Sequence, residues 1–179
     1  MSRGVRFKRI DCEPEYGARL VGQRQAFWLR PEGRWISPHY APHGIFATDE
    51  TVLIAAHGTL GENEVFCQPI LATGRWLAFA YTEDLLRIVS SNSEYPGAFL
   101  FAFLRSEAVF RCFRSMSIGS KQQELHPVLL ANFPVPICTP SERKKVSKRV
   151  RHAHKLRDGA DEKEDQAFAL VESAIEEAA

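Results

Sequence analysis

The 179-residue sequence lacks a long hydrophobic run. Its longest strongly apolar stretch, residues 98–104, is far shorter than the roughly 18 residues that a transmembrane helix needs. The first ten residues carry charges but no apolar core of the kind found in secretory signal peptides. We therefore expect a soluble, cytoplasmic protein without a membrane partner.

Cysteine is scarce, and the four that are present form no Cys-x-x-Cys pair, which excludes a zinc ribbon or a thioredoxin-type motif. We expect buried free thiols, because no export signal points to an oxidising compartment. His39 and His43 are separated by Pro42, which opposes the helix that would bring both imidazoles onto one face. His152 and His154 stand two apart in a helical segment and are expected at the surface. Neither a metal nor another cofactor is predicted.

Catalytic signatures are also missing. The sequence contains no Gly-x-Ser-x-Gly elbow, no Gly-x-Gly-x-x-Gly turn, no phosphate-binding Walker loop and no methyltransferase Asp/Asn-Pro-Pro-aromatic motif. Residues 142–144 match the Glu-x-Lys of some nucleases, but they open a helix, whereas the nuclease motif requires a strand. The sequence therefore predicts a protein that is not an enzyme, and catalysis through Cys67 or His57 stays as a third hypothesis.

Charge is balanced in total and uneven along the chain. Lysine and arginine number 23 against 22 acidic residues, a net charge of +1 that excludes a uniformly basic, histone-like coat. Residues 105–157 carry 12 basic and 3 acidic side chains, whereas residues 158–179 carry 1 and 8. The basic block can supply phosphate contacts, which give affinity without sequence information.

The pattern of residues 1–138 predicts a mixed α+β domain, mostly β with interleaved helices. Strands are expected at residues 24–29 and 35–36 around a turn, at 51–56 and 65–67 around a glycine turn, and at 85–89. A helix is expected from Pro96 to about Arg114, with a helical turn within residues 126–132. Residues 133–137, with two prolines, are expected to form an extended edge strand.

Residues 139–179 predict a second unit, one long helix for dimerisation or subunit assembly. Thr139 or Ser141 is the expected N-cap, and no proline occurs from Ser141 to residue 179. A continuous helix over residues 141–179 would be about 58 Å long, with Gly159 as its weak point. Apolar residues recur at three- and four-residue spacing, and so long a stripe cannot be buried on a compact domain. We expect it to dock on a partner helix, with some of its basic residues meeting acidic ones there.

Candidate DNA contacts lie in the polar segment 119–125 and at the end of the preceding helix. Arg114 and Lys121 can contact phosphates, with Ser120 beside them. Gln122 and Gln123 can pair with adenine in the major groove. The alternative is a solvated helix face followed by a polar loop.

Three stretches together resemble the target recognition domains of type I restriction–modification specificity subunits. In the first, a strand at residues 52–54 precedes the small-Gly-Thr-x-Gly turn at 57–61. In the second, the apolar helix beginning within residues 95–106 leads to a Gly-Ser-x-Gln loop at 119–125 and a Val-Pro segment at 133–136. The third is the long C-terminal helix, which in that family forms an antiparallel coiled coil.

The resemblance implies a non-catalytic, sequence-specific binder of double-stranded DNA that directs methyltransferase and nuclease subunits to a target. It adds His57 and Thr59 to the candidate DNA contacts. Such subunits normally hold two recognition domains and two long helices, whereas this chain has one of each. Three explanations account for the single domain and single helix. The chain is a half-size subunit that pairs with itself through residues 141–179, a domain detached from a larger methyltransferase, or a truncated remnant. In the alternative hypothesis, the helix docks on a larger partner and the protein does not bind DNA.

Overall fold

The computed structural model describes residues 1–178 and confirms the predicted α+β fold. The strands are β1 (Ser2–Arg3), β2 (Ala18–Val21), β3 (Arg34–Ile36), β4 (Thr51–Ala55), β5 (His57–Gly58), β6 (Pro69–Ala72), β7 (Ala80–Tyr81), β8 (Leu85–Ile88) and β9 (Gln123–Glu124). The α-helices are α1 (Gly97–Leu104), α2 (Glu107–Ser115), α3 (Pro127–Leu130) and α4 (Pro140–Glu177). Short 3-10 helices lie at Pro14–Tyr16, Gln25–Phe27, Pro38–Tyr40 and Gly74–Ala78. No helix within residues 1–178 is long and apolar enough to cross a lipid bilayer.

The main sheet is antiparallel, in the order β1-β8-β4-β6. All five residues of β4 are buried, because helices cover one face of this sheet and the second sheet and its loops cover the other. Val52 and Ile54 belong to the core under the helices, whereas Leu53 belongs to the core on the opposite face, as the period of two requires. Pro69 is tolerated because β6 is an edge strand.

The hairpin predicted around β4 is present with a different second strand. Residues 51–56 are extended as expected, but the partner of β4 is β6 and not residues 65–67. Residues 66 and 67 form a turn in which Cys67 adopts a φ of 69°, and the Cys67 N–H donates to the Ala55 carbonyl at 2.9 Å just before the β4–β6 ladder begins. The predicted strand at 85–89 is confirmed as β8.

The second sheet has the order β3-β2-β7, in which β2 is antiparallel to β3 and parallel to β7. The strand expected at residues 35–36 is confirmed within β3, but the one expected at 24–29 is wrong. Residues 25–27 form a 3-10 turn that buries Ala26 completely. A short apolar run fits such a turn as well as a strand, so periodicity alone could not decide between them.

The single helix expected from Pro96 to Arg114 is two helices, separated at Arg105 and Ser106. Ser106 has extended backbone (ψ 146°) and stands at the N-cap position of α2, without a side-chain capping hydrogen bond. Helix α1 is apolar on nearly every side and largely buried, whereas α2 buries only Val109 and Phe113. The break turns the narrow apolar face of α2 back onto the core.

The helical turn expected within residues 126–132 is confirmed as α3, but the strand expected at 133–137 is wrong. That segment has no strand partner. Pro134 and Pro136 have no backbone N–H group to donate to a neighbouring strand. The segment is therefore extended without belonging to a sheet.

The long C-terminal helix is confirmed as α4, which runs 38 residues without interruption. Thr139 is its N-cap, in a capping box in which its side chain accepts from the Glu142 N–H and the Glu142 carboxylate accepts from the Thr139 N–H. Gly159 lies inside the helix and does not end it.

The first half of α4 packs against α1 and shares its core. Arg143, Ser147 and His154 are buried there, and Val146 and Val150 contact the same cluster. The prediction that His154 lies at the surface is therefore wrong, because the helix face that carries it is covered by α1. Residues 162–178, in contrast, are exposed throughout.

Several charges of α4 pair with the domain of the same chain, where the sequence predicted a partner helix. The buried Arg143 guanidinium lies 4.4 Å from the centre of the Tyr95 ring and 3.6 Å from Glu94. Arg151 pairs with Glu50. The helix therefore lies along the domain with its basic half held by acidic residues of the α1 region.

Candidate nucleic-acid interface

The two segments predicted to contact DNA are brought together by a small sheet. Strand β5 pairs with β9 in antiparallel register, with His57 opposite Glu124 and Gly58 opposite Gln123. The two pairs join positions 65 and 67 residues apart, and Ile118 also bridges to Glu124. The loops after β5 and before β9 therefore emerge side by side, and we name residues 57–61 and 119–123 the paired loops.

The turn at the start of β9 depends on Gly119. Its φ is +122°, a region that side chains other than glycine rarely adopt, and a Cβ there would lie 2.2 Å from the Gln122 carbonyl oxygen. The glycine lets the backbone turn tightly, so that Ser120, Lys121 and Gln122 are presented at the tip. All three are exposed.

Gln123 is buried and supports this turn from inside. Its amide nitrogen donates to the carbonyls of Gly119 and Ser120 at 2.8 and 3.1 Å, and its amide oxygen accepts from the Ser117 hydroxyl at 2.8 Å. Both N–H donors are thereby used within the protein. The sequence predicted that Gln123 contacts a base. In the structure its side chain instead holds the loop in position.

Arg114 holds the first of the paired loops. One terminal nitrogen donates to the Leu60 carbonyl and the other to the Gly61 carbonyl, both at 2.9 Å. The guanidinium also lies over the Phe110 ring, 4.2 Å from its centre. The cation predicted to reach a phosphate thus stabilises the loop, and Lys121 remains as the exposed cation at the tip.

His57 and Thr59 differ in accessibility. The His57 backbone is fixed by the Gln23 side chain, which donates to its carbonyl at 2.6 Å and accepts from its N–H at 3.1 Å. Its imidazole is half-buried, 3.8 Å from Asp84. Thr59 is exposed beside Gly58, whose φ is +155°. Thr59, Ser120, Lys121 and Gln122 are therefore the predicted DNA contacts that are exposed in the paired loops.

Sequence reasoning missed the residues that tie the paired loops to the rest of the fold. Gln23 is one, and Arg3 is another, since its guanidinium donates to the Leu125 carbonyl at 2.7 Å and pairs with Glu124. Both act across large sequence separations. No local motif marks such residues, so only the assembled fold identifies them.

The chemistry that the chain offers in this region is limited. Burial raises the pKa of the Cys67 thiol to about 12, so the thiol stays protonated at neutral pH and is a poor nucleophile. Within residues 1–178 no cluster of three or more His, Cys, Asp or Glu side chains is arranged to hold a metal ion. The four cysteines are free, and Cys112, unlike the others, is exposed.

Comparison with known proteins adds no assignment. No protein-family model matches the chain, and no curated protein matches it.

Proposed function

We propose that this protein is a non-catalytic, sequence-specific subunit that binds double-stranded DNA in a restriction–modification system. The observation that supports the proposal is the β5–β9 pairing, which sets the two segments carrying the family resemblance side by side. The exposed tip offers the chemistry that base and phosphate contacts need, with Lys121 for a phosphate and Gln122 for an adenine edge. Methyltransferase and nuclease subunits are the partners that this function requires.

The proposal assigns separate roles to residues within the paired loops. Lys121, Gln122, Ser120 and Thr59 contact DNA, whereas Gln123 and Arg114 hold the loops in position. A loop fixed by hydrogen bonds at its base loses less conformational entropy on binding than a free loop would. This rigidity suits a reader of one short sequence.

The test is a selection from random duplex oligonucleotides, followed by affinity measurements over a range of salt concentrations. We expect one enriched motif and an affinity that falls with salt. The double variant Lys121→Ala/Gln122→Ala should lose sequence preference and reduce the magnitude of the salt slope by about 1. The matched control is Lys155→Ala/Gln166→Ala, which removes the same side-chain types from exposed positions on α4. An absence of any enriched motif, or a double variant that binds as the control does, would reject the proposal.

The exposed end of α4 favours a second function, assembly through the helix. Residues 162–178 extend about 26 Å and expose Phe168, Leu170, Val171 and Ile175, each more than half accessible. These side chains and the alanines at 167, 174 and 178 lie on one side of the helix, as the three- and four-residue spacing requires. Such a stripe suits a second helix packed alongside, from another copy of the chain or from a larger partner.

Light scattering after size-exclusion chromatography tests this assembly. We expect a dimer that the double variant Val171→Glu/Ile175→Glu converts to monomer, because it puts two charges on the stripe. Ala169→Glu adds a charge on the opposite side of the helix and should leave the dimer intact. A wild-type protein that stays monomeric at high concentration would leave a larger partner as the occupant.

A further inference from the structure

A pocket of about 270 Å³ lies where α4 crosses the domain, away from the paired loops. Its walls come from the 3-10 turn at Gln25–Phe27, the 3-10 helix at Gly74–Ala78, strand β6, the end of α1 and the middle of α4. Its volume is slightly below the ~300 Å³ at which drug-sized ligands begin to fit. The pocket therefore suits a small ligand of one or two rings.

Aromatic side chains form most of the apolar wall. Phe27, Trp28 and Trp76 line the domain side, and Phe101 lines it from α1. The Trp28 side chain is 45% exposed, an unusual degree for so large an aromatic residue beside a cavity. Aromatic walls of this kind favour a planar ring, which stacks offset or packs edge to face against them.

The rim of the pocket is positively charged. Arg105 and Arg157 line it, and within residues 1–178 no carboxylate lies within 4 Å of either guanidinium. Asp161 lies at the rim as well, but its carboxylate is 3.8 Å from Arg75 and its carbonyl accepts from Arg30 at 2.8 Å. The Asp161 carboxylate thus already has a cationic neighbour, whereas neither Arg105 nor Arg157 has an acidic partner within 4 Å.

His154 forms the junction between the aromatic wall and the charged rim. Its ring lies 5.7 Å from the Phe101 ring in an edge-to-face arrangement, and its Nε2 is buried without a hydrogen-bond partner in the described chain. Burial is the largest cause of its lowered pKa; Arg157 and Arg105 also lower this pKa, and Asp158 opposes them. His154 therefore lies between the apolar wall and the two arginines of the rim.

We propose that this pocket binds a small planar aromatic acid, with its ring against Trp28, Trp76 and Phe101 and its carboxylate at Arg105 and Arg157. A guanidinium matches a carboxylate with two parallel hydrogen bonds, which selects an acid over a neutral molecule of the same shape. The site is separate from DNA binding and from assembly of the helix. Because it is lined by both the domain and α4, its occupant contacts both.

The test is a titration of ¹⁵N-labelled full-length protein with 2-naphthoate, with 2-naphthamide as the neutral probe of matched shape. The chain has three tryptophans, and each gives its own indole signal. We expect saturable shifts for Trp28 and Trp76 and none for Trp35, which lies outside the pocket against Arg19. The amide should bind about tenfold more weakly, the ratio expected from losing a charge-assisted contact.

A pair of variants on α4 completes the test. Arg157→Gln should weaken 2-naphthoate about tenfold and leave 2-naphthamide unchanged. Arg149→Gln, an exposed arginine of the same helix that does not line the pocket, should leave both affinities unchanged. Equal affinities for 2-naphthoate and 2-naphthamide, or no binding at millimolar concentration, would overturn the proposal. So would an Arg157→Gln protein that binds 2-naphthoate as tightly as the wild type, or shifts of the Trp35 signal as large as those of Trp28 and Trp76. Binding of adenosine monophosphate in preference to 2-naphthoate would assign the pocket to a nucleotide and overturn it as well.

Discussion

Arg87, on β8, carries a buried guanidinium that donates hydrogen bonds to backbone carbonyls of a neighbouring loop and strand. Its terminal nitrogens reach the carbonyls of Ile45 at 3.0 Å, Phe46 at 3.1 Å and Tyr81 at 3.2 Å, and also that of Gly44. No carboxylate accompanies it within the described residues. This arginine therefore fastens the loop before β4 and the strand β7 to the main sheet.

We expect Arg87→Met to lower the free energy of unfolding by about 2–4 kcal/mol, because several carbonyls lose a charged donor in a buried site. Urea denaturation measures the change. Arg24→Met, at an exposed arginine, should change the stability by less than about 0.5 kcal/mol. An equally small effect of Arg87→Met would show that water donates hydrogen bonds to these carbonyls when the guanidinium is removed.

His154 illustrates how burial can make one residue pH-sensitive. Its folded pKa is below the ordinary value of 6.5 because burial disfavours the charged form and two arginines face it. Below pH 6.5 the unfolded chain therefore binds a proton that the folded chain resists. The neutral His154 side chain therefore contributes fully to the free energy of unfolding above pH 6.5. This contribution is lost as the pH falls towards the folded pKa of His154.

We expect the unfolding free energy of the wild type to fall more steeply between about pH 7 and 5 than that of His154→Gln. Parallel urea titrations at several pH values measure the difference between the two slopes. His152→Gln, at the exposed histidine two residues earlier, is the matched control and should keep the wild-type slope. Equal slopes for the wild type and His154→Gln would contradict the assigned environment.

The helices and strands whose own residues carry a clear pattern of polarity, proline or capping were predicted correctly. The β-branched and apolar run of β4 and the capped, proline-free span of α4 both match the structure. Residues 24–29 and 133–137 did not, since an apolar run or extended backbone becomes a strand only when another edge lies beside it. The break between α1 and α2 likewise follows from which faces the core can cover.

Gly159 offers a direct test of how α4 is stabilised. It lies inside the helix, and a Cβ placed on it meets nothing within 4 Å. We expect Gly159→Ala to raise the free energy of unfolding by about 0.5–1 kcal/mol, since alanine loses less backbone entropy in a helix. Thermal or urea unfolding followed by circular dichroism measures the gain. A loss of stability instead would show that the helix needs to bend at this position.

At the scale of the whole molecule, ion pairs attach the middle of α4 to the domain. Asp165 accepts from Arg75 at 2.7 Å and from Arg30 at 2.8 Å, and these two contacts lower the pKa of its carboxyl group. Glu164 also pairs with Arg30, at 3.0 Å. The Arg30 guanidinium also lies 5.8 Å from the centre of the Phe168 ring, and the helix is exposed from residue 162 onwards.

We expect Asp165→Asn to speed amide hydrogen exchange around residues 158–165, by on the order of two- to fivefold, because exposed ion pairs contribute little each. High salt should have a similar effect on the wild type, since it screens the same pairs. Exchange followed by mass spectrometry makes the measurement. Glu172→Gln, on the exposed end of the helix, is the control and should leave this region unchanged. Unaltered exchange in Asp165→Asn would show that the Asp165 ion pairs do not hold this part of the helix.

The sequence alone determined the α+β class, the central strand and the long helix with its cap, because these depend on local patterns of polarity, proline and capping residues. It also marked the segments that became the paired loops. The tertiary fold was needed to show that β5 pairs with β9, that Gln123 is buried, that Arg114 is bound to loop carbonyls, and that His154 is buried beside a pocket. The physical reason is that a side chain's role depends on which of its donors the fold already uses, and those partners lie tens of residues away in the sequence.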